Sequence, residues 1–152
     1  MKYLAILCLS LILRGAVPPP AHAQNLALRI RAQDEVPTEY QVKAAYLFNF
    51  LKFVEWPDNA SADTHSRWVI GVMGDNPFGN DLAQFVMGKT VQGHLLEVKT
   101  LRSGEDARGC RILFISASEK KRLTSLLSNL RSLPVLTVAD MDGFLESGGM
   151  IQ

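Results

Sequence analysis

Residues 68–77 have the sequence WVIGVMGDNP, and this stretch decides the fold class. Its first six residues are apolar without interruption, whereas a strand with one face toward solvent would alternate apolar and polar residues. The four residues that follow are Gly, Asp, Asn and Pro, which are typical of a turn. The stretch therefore predicts a strand that is buried on both faces and ends at a sharp turn.

Two further apolar runs, 111–115 (RILFI) and 134–138 (PVLTV), are also predicted as strands. The remaining segments are predicted, in chain order, as helix 78–87, strand 91–101 bent at Gly93, turn 103–109 and helix 119–130 capped by Ser118. Buried strands that alternate with helices predict a single α/β domain, with a central, mostly parallel sheet flanked by helices.

Residues 39–56, before the first strand, have the spacing of an amphipathic helix. Thr38 and Gln41 form a capping-box pattern at its start, and Pro57 is expected to end it. The helix carries more aromatic residues than one narrow face can bury, so some should cover a second surface. Four are candidates for a partner or dimer interface, with packing in the core as the alternative for at least half of them: Tyr46, Phe50, Phe53 and Trp56.

The N-terminus has the pattern of a cleaved secretory signal peptide, residues 1–23. Lys2 precedes an apolar run of about eleven residues, which is too short to span a bilayer as a helix. The small residues Ala21 and Ala23 supply a signal-peptidase site. Residues 24–37 are predicted to be a flexible leader, and 38–152 to be the folded domain.

The charge balance of the secreted part disfavours nucleic acid and anionic membranes as partners. All 15 acidic residues lie after residue 23, whereas Lys2 and Arg14 belong to the signal, so the secreted part is close to neutral. Its single cysteine, Cys110, precludes an internal disulfide and is expected to be buried as a small hydrophobic residue.

Catalytic and metal-binding patterns were not found in the sequence. His65 and His94 are the only histidines after the signal, and they lack the spacing of a zinc site. No nucleophile elbow, P-loop or dinucleotide-binding motif is present. We therefore expect no enzyme activity, no metal and no cofactor.

Polar residues follow each of the three predicted core strands. Because ligands of open α/β sheets bind at the carboxyl ends of the strands, these residues could together form a small-molecule pocket. The alternative is that four of them, Asp75, Asn76, Ser118 and Asp140, are helix caps and turn formers. The candidate pocket residues are Asp75, Asn76, Ser116, Ser118 and Asp140.

Several segments, in order along the chain, resemble the YfiR family of periplasmic proteins. The most specific are residues 40–57 (YQVKAAYLFNFLKFVEWP) and 148–151 (GGMI). Supporting segments are 74–78 (GDNPF), 88–93 (GKTVQG), 110–116 (CRILFIS) with Glu119, and 136–140 (LTVAD) with Gly143 and Phe144. The resemblance extends over nearly the whole chain after residue 38.

The resemblance implies a regulator rather than an enzyme. Members of the family bind the periplasmic part of an inner-membrane diguanylate cyclase and hold it inactive, which restrains biofilm formation. Related domains are sensor modules of membrane histidine kinases, so a small-ligand sensor is the alternative. A homodimer is also expected. Some members of the family contain disulfides. This chain departs from them, because Cys110 is its only cysteine after the predicted signal peptide.

The C-terminal residues 142–152 resemble a loop that enters a new strand. Ending a domain at this point would leave an open sheet edge. Family members continue past the GGMI segment into a further strand and helix. We therefore expect that the sequence is truncated at its C-terminus.

Overall fold

A computed structural model describes residues 36–56, 67–102 and 104–152 of the chain. The predicted signal peptide and most of the predicted leader lie outside the described residues. The secondary-structure elements, in chain order, are α1 (Glu39–Phe53), β1 (Trp68–Met73), α2 (Asp81–Val86), β2 (Thr90–Val91), β3 (His94–Leu101), a 3-10 helix (Gly104–Gly109), β4 (Cys110–Ile115), a second 3-10 helix (Ala117–Arg122), α3 (Leu123–Leu130) and β5 (Leu136–Val138).

The five strands form one sheet in the order β2-β3-β1-β4-β5. Strands β3, β1, β4 and β5 are parallel, and β2 pairs with β3 in the antiparallel direction. All residues of β1 and β4 are buried, as their continuous apolar sequences predict. The predicted α/β class with a mostly parallel sheet is confirmed.

Helix α1 begins as predicted but ends earlier. The Thr38 side chain accepts a hydrogen bond from the Gln41 amide, and the Gln41 side chain accepts one from the Thr38 amide. These two bonds satisfy amides that the first turn of a helix leaves without partners. The prediction that the helix extends to Trp56 was wrong, because its last residue is Phe53.

Residues 90–101 form a hairpin instead of the predicted single bent strand. Gln92 and Gly93 have φ angles of 51° and 85°, and they connect β2 to β3. Two consecutive positive φ angles give a tight turn whose twist matches that of the flanking strands. The Gly93 bend is therefore a complete reversal of the chain.

The two helices that follow core strands begin differently from the predictions. Helix α2 starts only at Asp81, because the Asn76 side chain accepts a hydrogen bond from the Phe78 amide and holds the preceding residues in a turn. The segment after β4 starts as a 3-10 helix capped by Ser116, and Ser118 is inside it. The prediction of Ser118 as the cap was therefore wrong.

The core consists of two apolar layers, one on each face of the sheet. Helices α1 and α2 cover one face, where Leu47, Leu51 and Phe114 are almost fully buried. Helix α3 covers the other, where it packs with Phe144 and Leu113. The layers position α1 so that its opposite side faces outward. No helix among the described residues has the length and apolar character needed to cross a membrane.

Candidate functional site

The outward side of α1 carries a line of exposed apolar side chains. Val42, Tyr46 and Phe53 are 40%, 58% and 77% exposed. They are four and seven residues apart in sequence, which places them on one side of a helix of 3.6 residues per turn. We call Val42, Tyr46 and Phe53 the α1 ridge. Since Ala44, Leu47 and Leu51 already anchor the helix to the core, the ridge is not needed for packing.

A groove of about 350 Å³ lies beside the ridge, between α1 and the end of β5. Tyr46 and Phe50 form its α1 wall, with stacked rings whose centroids are 6.4 Å apart. The residues that line it are Lys43, Tyr46, Leu47, Phe50, Phe114, Val138, Ala139, Asp140, Ile151 and Gln152. We call this cavity the α1–β5 groove. Its volume is in the range of small-molecule pockets, and most of its lining is apolar.

The polar end of the groove is a hydrogen-bonded cluster centred on Asp140. The Tyr40 hydroxyl and the Lys43 ammonium donate to Asp140 Oδ2 over 3.2 Å and 2.7 Å. Lys43 also pairs with Glu39, one helical turn earlier. A charged pair at the rim of an apolar groove can orient a bound group without filling the groove.

The cluster shifts two pKa values upward. Burial lowers the pKa of Lys43, but the hydrogen bonds to Asp140 and Glu39 outweigh that effect and raise it above its ordinary value. Burial, followed by the negative charge of Asp140, raises the pKa of Tyr40. Lys43 is thus held in its charged form and Tyr40 in its neutral form.

The structure separates the four predicted interface residues into two groups. Tyr46, Phe50 and Phe53 lie on the ridge or the groove wall. Trp56 lies elsewhere: its indole packs edge-on against Trp68, with centroids 6.1 Å apart, and its Nε1 donates to the Leu51 carbonyl. Trp56 therefore fastens the end of α1 to the sheet.

The predicted pocket residues also fall into separate places. The Asp75 amide donates to Ser118 Oγ over 3.0 Å, and the Ser118 amide donates to Ser116 Oγ. A Cβ on Gly74 would be only 2.4 Å from Ser118 Oγ, so the chain is tightly packed at this junction. These polar groups bond to one another and hold the ends of β1 and β4 together.

The other two predicted pocket residues have other hydrogen-bond partners. Asn76 bonds locally, with its side-chain amide donating to the Gly79 carbonyl. Asp140 alone among the five lines the α1–β5 groove. Four of the five residues thus have local hydrogen bonds, in the case of Asp75 through its backbone amide, and a pocket role is compatible with Asp140.

Sequence reasoning missed Lys43, Tyr40 and Ile151 as parts of this site. Lys43 and Tyr40 lie within the predicted helix 39–56, and the helical pattern indicates no contact outside the helix. Their contact with Asp140 spans 97 and 100 positions in the chain, and no local pattern reports it. A signal for Ile151 did exist, because the apolar end of the GGMI segment suggested the start of a strand. Ile151 in fact forms a parallel bridge with Val138.

The single cysteine of the predicted secreted part does not line the groove. Cys110 is buried in the core layer under α3, and burial raises the pKa of its thiol to about 11. A thiol with that pKa is almost entirely protonated at neutral pH and is a poor nucleophile. The described residues contain no group of three metal-ligating side chains.

Comparison with known families identifies a matching family model. The model described as DUF4154, YfiR/HmsC-like, matches residues 40–152, which include all of α1 except its first residue, the whole sheet and both sides of the groove. No curated protein matches the chain.

Proposed function

The chain belongs to the YfiR/HmsC-like family, and from that membership we propose that it is a non-enzymatic periplasmic regulator. In this proposal it binds the periplasmic part of an inner-membrane diguanylate cyclase, holds the cyclase inactive and keeps cyclic di-GMP low. The signal peptide predicted at residues 1–23 delivers the chain to the periplasm. The domain that acts there starts near residue 38.

The observation that carries the proposal is the α1 ridge. Exposed apolar side chains that are aligned along one helix and rimmed by polar residues are typical of a protein-binding surface. Tyr and Phe supply much of the contact area in such interfaces. Tyr46 and Phe53 are 58% and 77% exposed, so partner binding would bury side chains that the domain itself leaves open.

The proposal is tested by measuring binding between the secreted chain and the periplasmic part of the cyclase. We expect Tyr46→Ser and Phe53→Ser each to weaken binding about tenfold or more, the loss typical of a central aromatic residue. Leu95→Ser is the matched control, because Leu95 is also exposed, at 46%, but lies on the β2–β3 hairpin. Equal binding by the ridge variants and the control, or no binding by the wild-type chain, would contradict the proposal.

A second candidate function is supported by the α1–β5 groove. Its volume of about 350 Å³ and its Lys43–Asp140 rim are compatible with a small ligand that has an apolar body and a polar end. In this version the chain is a periplasmic sensor that acts on a membrane histidine kinase or another receptor. A ligand that raises the melting temperature of the wild-type chain, but not that of Phe50→Asp, would support it.

The same ridge is compatible with a homodimer. Light scattering after size-exclusion chromatography tests this directly. A dimer that dissociates in Phe53→Ser but not in Leu95→Ser would place the ridge between two copies. In that case the cyclase would have to compete for the ridge or bind elsewhere.

A further inference from the structure

The C-terminal half of α1, the end of α2 and the residues just after α2 together form a surface of three phenylalanines and two lysines. We call it the cationic aromatic patch, and its members are Phe48, Lys52, Phe53, Phe85 and Lys89. The Phe48 and Phe85 rings meet edge-on, with centroids 5.9 Å apart. The patch shares Phe53 with the α1 ridge, and none of its residues lines the α1–β5 groove.

Both lysines are held against aromatic rings. Lys52 Nζ lies 5.6 Å from the centroids of Phe48 and of Phe53. Lys89 Nζ lies 5.3 Å from the centroid of Phe48 and 3.4 Å from that of Phe85. These are cation–π distances, so both ammonium groups are placed beside the same Phe48 ring.

Neither ammonium forms a salt bridge within the described part of the chain, where the acidic partners are Glu39, Glu97, Glu119 and Asp140. Lys43, by contrast, has two carboxylates. The patch thus presents two positive charges on one surface, each beside the Phe48 ring, and Lys89 Nζ also donates a hydrogen bond to the Phe85 carbonyl. Beside them Phe53 is 77% exposed, and Met87, two residues before Lys89, is 74% exposed.

We propose that the cationic aromatic patch docks an acidic segment of the protein partner. Carboxylates of that segment would pair with Lys52 and Lys89, and an apolar side chain between them would cover Phe53. This inference rests on the proposed function and adds the chemistry by which the partner is recognised. Complementary charges at an interface speed association and fix its register more than they add raw affinity.

The small number of charges favours a protein over a lipid surface. Clusters that recognise anionic lipid headgroups hold about four to eight basic residues. The patch has two lysines, and the secreted chain is close to neutral. Two ammonium groups on one surface match a pair of carboxylates on one segment better than they match a continuous anionic surface.

The test measures association and dissociation rates of the secreted chain with the periplasmic part of the cyclase at low and high salt. We expect Lys52→Gln with Lys89→Gln to slow association about tenfold at low salt and to remove most of its salt dependence. Lys52→Arg with Lys89→Arg keeps the charges and should behave like the wild type. Lys120→Gln with Lys121→Gln is the matched control, since it removes two charges from exposed positions on the second 3-10 helix.

Each outcome decides the inference. If the wild type binds and the Lys52/Lys89 glutamine variant binds as fast, the inference is overturned while the proposed function stands. If the wild type does not bind at all, both fail. A separate experiment tests sedimentation of the chain with vesicles of phosphatidylethanolamine and phosphatidylglycerol in a 3:1 ratio. If the two glutamine substitutions abolish sedimentation but leave cyclase binding unchanged, the patch binds the membrane and the proposal is overturned. Thermal melting verifies that each variant is folded.

Discussion

Lys43 Nζ lies 2.7 Å from Asp140 Oδ2, although 97 positions separate the two residues in the chain. This contact joins the outward half of α1 to the loop after β5. Together with the Tyr40 hydroxyl, which bonds the same oxygen, it sets the width of the polar end of the α1–β5 groove. The contact therefore adds an ion pair at the groove rim to the apolar contacts that hold α1 on the sheet.

A double-mutant cycle with Lys43→Met and Asp140→Asn should give a coupling free energy of about 1 kcal/mol in urea unfolding. The two side chains are only 27% and 20% exposed, so solvent screens this pair less than a surface pair. Glu39 is 72% exposed, and the same cycle with Glu39→Gln should give a smaller value. A coupling near zero for Lys43 and Asp140 would show that the pair does not fix the groove.

Trp56→Phe should lower the free energy of unfolding by about 1 kcal/mol and leave binding to the proposed cyclase partner unchanged. Phenylalanine keeps most of the ring packing against Trp68 but loses the hydrogen bond to the Leu51 carbonyl. Parallel urea melts and binding titrations, with Phe53→Ser as the reference for lost binding, test this. A binding loss as large as that of Phe53→Ser would show that Trp56 belongs to the partner interface.

The buried strands and the start of α1 could be predicted from the sequence because their causes are local. The continuous apolar residues of β1 and the Thr38 cap act over a few neighbouring positions. The groove could not be predicted, because its walls come from distant parts of the chain. The serines after β4 show an intermediate case: both Ser116 and Ser118 are good caps, and only the geometry of the chain after β4 selects Ser116.

The β2–β3 hairpin was not predicted because glutamine is not typical of a turn with positive φ angles. Gln92 adopts a φ of 51°, a region that glutamine rarely occupies and asparagine tolerates better. Gln92→Asn should therefore stabilise the domain by about 0.5 kcal/mol, whereas Gln92→Val should destabilise it by about 1 kcal/mol. Urea unfolding of the two variants measures both effects. The opposite order would mean that the turn does not have positive φ angles in solution.

Gly149→Ala should destabilise the domain by about 2 kcal/mol. A Cβ at this position would lie 2.2 Å from Cε1 of Phe144, and that ring is fully buried and cannot move aside easily. Gly109→Ala is the control, because its added methyl group meets no atom within 4 Å. We expect the control to stay within about 0.5 kcal/mol of the wild type. Similar unfolding curves for both variants would contradict the close packing of Gly149 on Phe144.

The ionisation of Cys110 should make the domain less stable in alkali. Burial raises the pKa of the folded thiol from 9.0 to about 11, so the folded state holds this proton more tightly than the unfolded state does. The stability that comes from this tighter proton binding is complete below pH 9 and is lost as the pH rises to 11. For a pKa shift of this size, the loss in the free energy of unfolding is about 2–3 kcal/mol.

Cys110→Ala isolates this effect from the other groups that titrate in the same range. The variant loses packing at every pH, but its stability should fall less than that of the wild type between pH 8.5 and 11.5. Urea unfolding at both pH values measures the difference, and a cysteine reagent should react with the folded wild type far more slowly than with the urea-unfolded chain at pH 8. Parallel stability curves for the two proteins, or rapid modification of the folded chain, would place the thiol in contact with solvent.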